Sequence, residues 1–266
     1  MASWLDARHH GTCLLRIDDL DQPRCRIEHE QAIFRALEAF GLDYPQPYLR
    51  QSLRSARYAQ AVAELAQQLP LFHCDCTRRD LAGESEPCCA RNCRQHARDP
   101  QHSALRADLT ALPLIRTADR SLGEILFDPR VHRDVVVRRR DGLHSYQLAT
   151  VIDDADEGIT DVVRGADLLP STAWQLALQR ALALPMPRYL HLPLVVEADG
   201  RKLAKSRHSA PIDAALAGTQ LRQVFAWLAQ EQPPAPVGTP RQLLEWMLER
   251  WDPARLSGLR EVRLAN

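Results

Sequence analysis

The two lysines of this sequence lie three residues apart, in the segment GRKLAKSRHSAP (200–211). The chain has 34 basic residues; Lys202 and Lys205 are its lysines, and all the others are arginines. A lysine ammonium is a compact, mobile point charge, which suits a phosphate that changes position during a reaction. The small Ala204 and Ser206 let a ligand approach the loop backbone. An isolated Lys-x-x-Lys-Ser is more often a solvated turn, but the confinement of lysine to this loop favours phosphate binding.

The cysteines form a second group of residues that could bind a ligand or react. Five of the seven fall within residues 74–93. In a reducing compartment such a cluster indicates metal binding rather than disulfide bonds. Tetrahedral zinc takes four soft ligands from short loops. The residues alone leave the ligand set open, since there are more candidates than positions: Cys74, Cys76, Cys88, Cys89 and Cys93, with His73 and His96 as alternatives.

The composition narrows the class of protein. With 45% hydrophobic and 26% charged residues, the 266-residue chain has the composition of a soluble globular protein. Its formal net charge is +0, so strong non-specific binding to nucleic acid is not expected, although a local arginine-lined groove is compatible with it. The sequence shows neither an apolar run that could span a bilayer nor a signal peptide. We therefore predict a cytoplasmic protein without a membrane partner.

The candidate residues must be positioned by secondary structure. Predicted strands alternate with predicted helices along the chain. Residues 12–17 are predicted to be a strand that leads into an acidic stretch. Apolar spacing predicts helices over 26–40 and 52–68, and Ser171 is predicted to cap a later helix. After Ser209 the pattern is helical. This order indicates an α/β core with a parallel sheet, followed by a short helical tail.

Three segments carry a resemblance to a known family. KLAKS (202–206) resembles the KMSKS-type loop of class I aminoacyl-tRNA synthetases. LLRIDDLDQPR (14–24) resembles the RIEDxDxxR segment of the glutamyl-type members. YQLATVIDDADEGITDVVRGADLL (146–169) resembles their YxxAxVVDDxxxGITxVIRGxDLL segment. The likeness extends over nearly the whole chain, so the sequence is similar to the glutamyl-type class I synthetases.

The resemblance implies an α/β fold with a Rossmann-like catalytic domain, a zinc-bearing insertion and a short helical C-terminal region. The expected division places the first part of the catalytic domain in residues 1–69 and the insertion in residues 70–130. The second part, with the KMSKS-like loop, is expected in residues 131–215, and the helical region in residues 216–266.

The resemblance also implies roles for the lysine loop. Lys205 corresponds to the main catalytic lysine, which stabilises the ATP phosphates as pyrophosphate leaves. Lys202 corresponds to a helper, and Ser206 completes the ATP-binding set.

A glutamate substrate needs a cation for its side-chain carboxylate and an anion for its ammonium group. Arg164 suits the first role through a two-pronged contact, and Tyr146 can supply a hydroxyl beside it. Asp18 is expected to hold the ammonium. The family usually has Glu at that position, so the shorter side chain sits farther back. The alternative is that Asp18, Asp19 and Asp21 are ordinary loop and helix-start acids.

The end of the chain favours a short branch of the family. The sequence ends at Asn266, which leaves no room for a large anticodon-binding region, and it resembles the glutamyl-queuosine branch. That branch has Cys-x-Cys followed by Tyr-x-x-x-Cys, which implies zinc held by Cys74, Cys76, Cys89 and Cys93, with Cys88 left over. The implied reaction makes glutamyl-adenylate from L-glutamate and ATP with Mg²⁺. The glutamate then passes to queuosine in tRNA(Asp), and we expect a monomer.

The segment expected before SWLDAR (3–8) is missing from this sequence, which begins at Met1. In the family a first strand, an ATP-binding loop and a His-containing helix start precede this point. We expect either a start site assigned too late or a shortened product. The alternative functions are a non-catalytic, zinc-containing tRNA-binding protein and a fragment of an ordinary glutamyl-tRNA synthetase.

Overall fold

A four-stranded sheet with the order β6-β5-β9-β8 forms the centre of the protein. It contains β5 (Ile115–Asp119), β6 (Gly123–Phe127), β8 (Asp161–Gly165) and β9 (Arg188–Leu192). Strands β5, β9 and β8 are parallel, and β6 turns back antiparallel to β5. The structure is a computed structural model, and it describes residues 1–77, 80, 93–131, 134–203, 212–234 and 238–264. The predicted α/β class is therefore confirmed, but the central sheet is mixed rather than wholly parallel, because β6 runs antiparallel to its neighbour.

A short parallel pair lies beside this sheet. Strand β1 (Arg16–Ile17) pairs with β2 (Leu49–Arg50), and α2 (Ile27–Ala39) connects them. The predicted strand over 12–17 is regular only in its last two residues. Helix α3 (Ser55–Ala66) follows β2. Helices α2 and α3 thus lie within the two ranges predicted for helices, 26–40 and 52–68.

An antiparallel sheet of three strands carries Cys74, the first cysteine of the predicted metal cluster. Its order is β3-β4-β7, with β3 (Leu71–Cys74), β4 (Ala104–Ala107) and β7 (Val135–Arg138). Strand pairing crosses the limits of the expected insertion, because β7 lies outside residues 70–130 and pairs with β4. Strand β5 lies inside those limits and pairs with β9. The four-part division of the chain stays a prediction.

Two helices pack against the central sheet and form its main core. Helix α4 (Tyr146–Asp156) begins at Ser145, whose Oγ accepts a hydrogen bond from the backbone N–H of Leu148 at 3.2 Å. Helix α5 (Leu169–Ala181) connects β8 to β9. Fully buried side chains of both helices join one cluster with Tyr189 of β9.

The predicted cap at Ser171 is wrong. Helix α5 begins two residues earlier, because a 3-10 turn over Ala166–Leu168 continues directly into it. Pro170 lies in the first turn, where a missing N–H costs nothing. The Ser171 hydroxyl accepts a hydrogen bond from Gln147 Nε2 of α4 at 2.9 Å and so joins two helices instead.

The N- and C-terminal helices share a second core. Helices α1 (Ala2–His10), α6 (Ala217–Trp227) and α7 (Pro240–Glu249) enclose apolar side chains that include the fully buried Phe225. The tail is not purely helical as predicted. It ends in β11 (Glu261–Arg263), which pairs in parallel with β10 (Leu194–Val196). None of the helices in the described ranges has the length and apolar character needed to cross a bilayer.

Candidate functional site

An open cleft of about 810 Å³ lies between β1, α4 and β8. Asp18, Tyr146 and Arg164 all line it. They come from three separate parts of the chain, and ligands in open α/β sheets commonly bind near the carboxyl ends of parallel strands. The structure thus brings together the three residues predicted to hold glutamate, whose roles stay predictions.

One face of α4 forms a wall of the cleft. Tyr146, Thr150 and Asp154 follow one another at intervals of four residues and all line the cavity. The Tyr146 ring is partly exposed, at 38%, whereas Thr150 and Asp154 are buried. The Thr150 hydroxyl oxygen is buried and has no hydrogen-bond partner within the described parts of the chain.

Arg164 is held by neutral groups. Its Nη1 donates to Gln175 Oε1 at 2.7 Å, and its Nη2 donates to Thr172 Oγ1 at 2.6 Å. The guanidinium carbon lies 5.1 Å from the centroid of the Tyr189 ring, a cation–π contact. Burial raises the pKa of Tyr189 to about 12, so this ring stays neutral at physiological pH. No carboxylate in the described part of the protein forms an ion pair with Arg164, which leaves its charge for an anionic ligand.

Carboxyl groups outnumber cationic groups where β1 meets α4 in the cleft wall. Asp18 follows β1 directly, and its Oδ1 accepts a hydrogen bond from Arg16 Nε at 2.8 Å. Arg16 Nη1 also donates to Asp154 Oδ1 at 2.5 Å. Burial raises the pKa of Asp154, although Arg16 opposes that shift. The Arg16 guanidinium is therefore shared by Asp18, Asp154 and, at a longer 4.0 Å, Asp153. Asp18, with a side chain 42% exposed, faces solvent beside it.

A buried carboxylate fixes this side of the cleft to the scaffold. Asp153 is fully buried, and its oxygens accept hydrogen bonds from Gln51 Nε2 (2.8 Å), Arg54 Nε (2.8 Å) and the Tyr58 hydroxyl (2.9 Å). Its neighbour Asp154 contacts Arg16. Adjacent positions on a helix point in different directions, so Asp153 anchors α4 to α3 while Asp154 faces the cleft.

The lysine loop begins near the same cleft. The chain turns at Asp199 and Gly200, where Gly200 has a φ of +81° that favours glycine. Lys202 Nζ forms an ion pair with Asp167, which follows β8, and the lysine side chain is 53% exposed. Lys205 and Ser206 lie outside the described residues, so their predicted contacts with ATP stay predictions.

Three of the predicted metal ligands are close together. The sulfur atoms of Cys74, Cys76 and Cys93 all lie within 4.8 Å of one another, and all three residues are buried. The Sγ atoms of Cys76 and Cys93 are 3.6 Å apart. Two Zn–S bonds of about 2.3 Å at a tetrahedral angle place their sulfurs about 3.8 Å apart, so this set fits zinc.

The remaining cysteine candidates are placed differently. Cys89, the predicted fourth ligand, and Cys88 lie outside the described residues. His73 Nδ1 is 3.0 Å from the Ser103 hydroxyl. Neither His73 nor His96 belongs to the group of three thiols found in the described part of the chain. The structure thus contains a possible three-cysteine metal site.

Sequence reasoning missed several residues that shape the cleft. Arg16 and Asp154 stand within the motifs that were compared with the family, but no role was given to either. The four-residue spacing of Asp154 from Thr150 and Tyr146 could have revealed it. Thr172 and Gln175 also escaped notice, because only the packing of α5 against β8 brings them to Arg164.

Comparison with known proteins gives consistent matches. Residues 1–220 match the family model of class I tRNA synthetases (E and Q), catalytic domain. The chain is 44% identical over 274 aligned positions to a protein of Ectopseudomonas mendocina (strain ymp) named glutamyl-Q tRNA(Asp) synthetase, covering 100% of this chain and 91% of that relative. A protein of the same name from Xanthomonas axonopodis pv. citri (strain 306) is 42% identical, with 98% of this chain and 87% of that relative covered.

Solved structures share the fold. A glutamate tRNA ligase from Elizabethkingia meningosepticum, crystallised in complex with its amino acid, superposes with a TM-score of 0.73 at 21% identity over 99% of this chain. The glutamate-tRNA synthetase of Elizabethkingia anophelis gives a TM-score of 0.72 at 20% identity. This chain spans 62% and 63% of the lengths of those two proteins.

Proposed function

The chain belongs to the catalytic-domain family of the class I tRNA synthetases (E and Q), and from this premise we propose that it is an ATP-dependent ligase that activates glutamate and transfers it to queuosine in tRNA(Asp). The observation that carries the glutamate assignment is the polarity of the cleft. Arg164, which forms no ion pair with the acids that the structure describes, and Asp18, which lies near a second acid, Asp154, line the same cavity. Glutamate carries groups that complement both.

The pose that follows from this polarity leaves the α-carboxylate free to react. The side-chain carboxylate accepts hydrogen bonds from Arg164 and Tyr146, while the ammonium group donates to Asp18. An oxygen of the α-carboxylate then attacks the α-phosphorus of ATP. The bond from that phosphorus to the β-phosphate oxygen breaks, and pyrophosphate leaves with Mg²⁺. Glutamyl-adenylate remains in the cleft.

We assign the charge that develops on the leaving pyrophosphate to the lysine loop. Lys205 is the main stabilising cation, Lys202 assists it and Ser206 completes the phosphate contacts. The position of Lys202 next to the residues that follow β8 supports this assignment. Such catalysis acts through positioning and electrostatic stabilisation rather than through a covalent enzyme intermediate.

The second step is acyl transfer to a nucleoside hydroxyl. A hydroxyl oxygen of the queuosine cyclopentenediol attacks the carbonyl carbon of glutamyl-adenylate and gives up its proton, and AMP leaves as its bond to that carbon breaks. The names and near-complete coverage of the bacterial relatives support tRNA(Asp) as the acceptor.

We assign a structural zinc ion to Cys74, Cys76 and Cys93, with Cys89 as the fourth ligand. An all-thiolate zinc site is closed, and it supplies cross-linking of the surrounding loops rather than a reactive water. The arrangement of the three described sulfurs supports this assignment. We also propose that the protein acts as a monomer in the cytoplasm.

The activation step is tested by exchange of labelled pyrophosphate into ATP. We expect exchange that depends on L-glutamate and proceeds without tRNA, and no comparable exchange with L-glutamine or L-aspartate. Glutamine lacks the charge that Arg164 needs, and aspartate is too short to reach both ends of the cleft. Absence of glutamate-dependent exchange, together with retained binding of tRNA, would favour a non-catalytic tRNA-binding protein.

A further inference from the structure

The contacts behind Arg164 continue deep into the protein. Thr172 and His191 are both fully buried, and Asp119 is 4% exposed. The Thr172 hydroxyl, which accepts from Arg164 Nη2, lies 2.9 Å from His191 Nε2. The other ring nitrogen of this histidine, Nδ1, lies 2.6 Å from Asp119 Oδ2. Two side chains, those of Thr172 and His191, thus connect the cleft arginine to the buried carboxylate of Asp119.

The carboxylate at the far end is rigidly held. Asp119 Oδ1 accepts hydrogen bonds from the backbone N–H groups of Ser121 and Leu122, each at 2.9 Å, and from the Ser121 hydroxyl at 2.8 Å. The backbone N–H of His191 lies 3.2 Å from Asp119 Oδ2. These donors come from β9 and from the turn between β5 and β6, so the carboxylate is part of the central sheet.

The direction of the hydrogen bonds follows from the chemistry of each group. Arg164 can only donate, so the Thr172 oxygen accepts from it. Asp119 lies against His191 Nδ1, which donates to the carboxylate. The Thr172 oxygen also lies 2.9 Å from His191 Nε2 and 3.2 Å from the Leu168 carbonyl oxygen. The position of the threonine oxygen that accepts from Arg164 is therefore fixed by α5 and by the central sheet.

We propose that Thr172, His191 and Asp119 form a positioning relay that fixes the Arg164 guanidinium for the side-chain carboxylate of the amino-acid substrate. The relay connects a carboxylate to the arginine through the side chains of Thr172 and His191. An acid in direct contact would share the charge of Arg164 and compete with the substrate. The intervening threonine sets the plane of the guanidinium without placing a carboxylate against it. Their role is to position Arg164, since none of the three lines the cleft.

This inference rests on the proposed glutamate site, and it makes a specific prediction for three variants. Thr172→Val removes the hydroxyl at nearly constant volume, and we expect the dissociation constant for glutamate to rise about tenfold, as for loss of a strong charge-assisted contact. Thr172→Ser keeps the hydroxyl and is expected to bind as the unaltered chain does. His191→Asn retains a donor near the position of Nδ1 but lacks Nε2, and it should weaken glutamate binding in the same direction.

The measurement is isothermal titration of the full chain with L-glutamate, with melting temperature recorded for each variant. Ser171→Ala is the matched control, because it removes a neighbouring hydroxyl of α5 that bonds Gln147 rather than Arg164. In a double variant, Thr172→Val with His191→Asn, a relay predicts no further loss of affinity beyond Thr172→Val alone. In pyrophosphate exchange the KM for glutamate should rise while the KM for ATP stays constant.

Three results would overturn the relay. One is unchanged glutamate affinity in Thr172→Val. Another is additive loss in the double variant. A third is weak glutamate binding by Thr172→Ser, together with losses of glutamate affinity that parallel the fall in melting temperature in every variant. If the unaltered chain does not bind glutamate at all, both the proposed function and the relay are wrong, whereas normal binding with an unaffected Thr172→Val rejects the relay alone.

Discussion

At the scale of single residues, the cleft depends on Arg164 and its surroundings. Two of the five N–H donors of a guanidinium can fix it in place, one on each terminal nitrogen, while the second N–H of each remains for a ligand. Gln175 and Thr172 accept from the two terminal nitrogens. The buried Nε of Arg164 has no acceptor among the residues described. This geometry explains why an arginine, rather than a lysine, suits this position.

Arg164→Lys should weaken glutamate binding strongly even though the charge is preserved. A lysine ammonium cannot bond Gln175, Thr172 and a carboxylate with the same fixed planar geometry. We expect the KM for glutamate in pyrophosphate exchange to rise about 30- to 100-fold, equivalent to about 2–3 kcal/mol.

The matched control is Arg188→Lys. Arg188 also lines the cleft but is exposed and pairs with Asp161 at 2.8 Å. Its replacement should change the KM for glutamate by no more than about twofold, since exposed ion pairs contribute little. Equal effects of the two substitutions would contradict a specific role for Arg164.

At the scale of elements, two faces of α4 have different roles. The face with Tyr146, Thr150 and Asp154 lines the cleft. Another face carries Asp153, which ties α4 to α3 and to the residues after β2. The position of this cleft wall therefore depends on the buried contacts of Asp153.

Asp153→Asn should destabilise the fold by about 2–4 kcal/mol, since an amide cannot accept from Gln51, Arg54 and Tyr58 together and leaves buried donors unpaired. Asp156→Asn is the control. Asp156 also pairs with Arg54 and Arg57, but its side chain is 30% exposed, so its loss should cost under about 1 kcal/mol. Urea unfolding measures both changes, and similar losses for the two variants would refute the anchor.

Several of these elements could be predicted from the sequence, and the reasons for the failures are physical. Asp18 and Arg164 lie at or just after the ends of apolar strands, and the resemblance to the glutamyl-type synthetases selected them within those segments. Ser171 was misread because a 3-10 turn merges with α5. The contact of His191 with Asp119 joins residues 72 positions apart through pairing of β5 and β9. No local spacing encodes such a contact.

At the scale of the whole molecule, acid stability should reflect the buried carboxylate of the relay. Burial alone would raise the pKa of Asp119, but hydrogen bonds from His191, Leu122 and Ser121 lower it to about 2. A group with a lowered pKa in the folded state stabilises the fold above its unfolded pKa, near 3.8. That contribution, about 2 kcal/mol, is lost as the pH falls from about 4 towards 2.

Asp119→Asn removes this titration. We expect the free energy of unfolding of the variant to lie below that of the unaltered chain by at least about 2 kcal/mol at pH 7. The difference in free energy of unfolding should narrow as the pH falls below 4. Protonation of Asp119 then removes from the unaltered chain the carboxylate contacts that the variant already lacks. Urea titrations at several pH values measure it, and a difference independent of pH would contradict the assigned ionisation.

Zinc should also contribute to the stability of the whole chain. We expect about one zinc ion per purified chain, and a lower melting temperature after treatment with a strong chelator. Cys93→Ser should lose the metal, whereas Cys25→Ser, at an exposed cysteine, should retain it. Metal analysis and thermal unfolding test this together. Full zinc content in Cys93→Ser would exclude that residue as a ligand.

The most direct measurement of the central claim is transfer of labelled glutamate, in the presence of ATP and Mg²⁺, to three purified tRNAs. These are tRNA(Asp) containing queuosine, the same tRNA(Asp) with guanine in its place, and tRNA(Glu). The account predicts stable labelling of the queuosine-containing tRNA(Asp) and of neither other RNA. Labelling of tRNA(Glu), or equal labelling of both forms of tRNA(Asp), would contradict it.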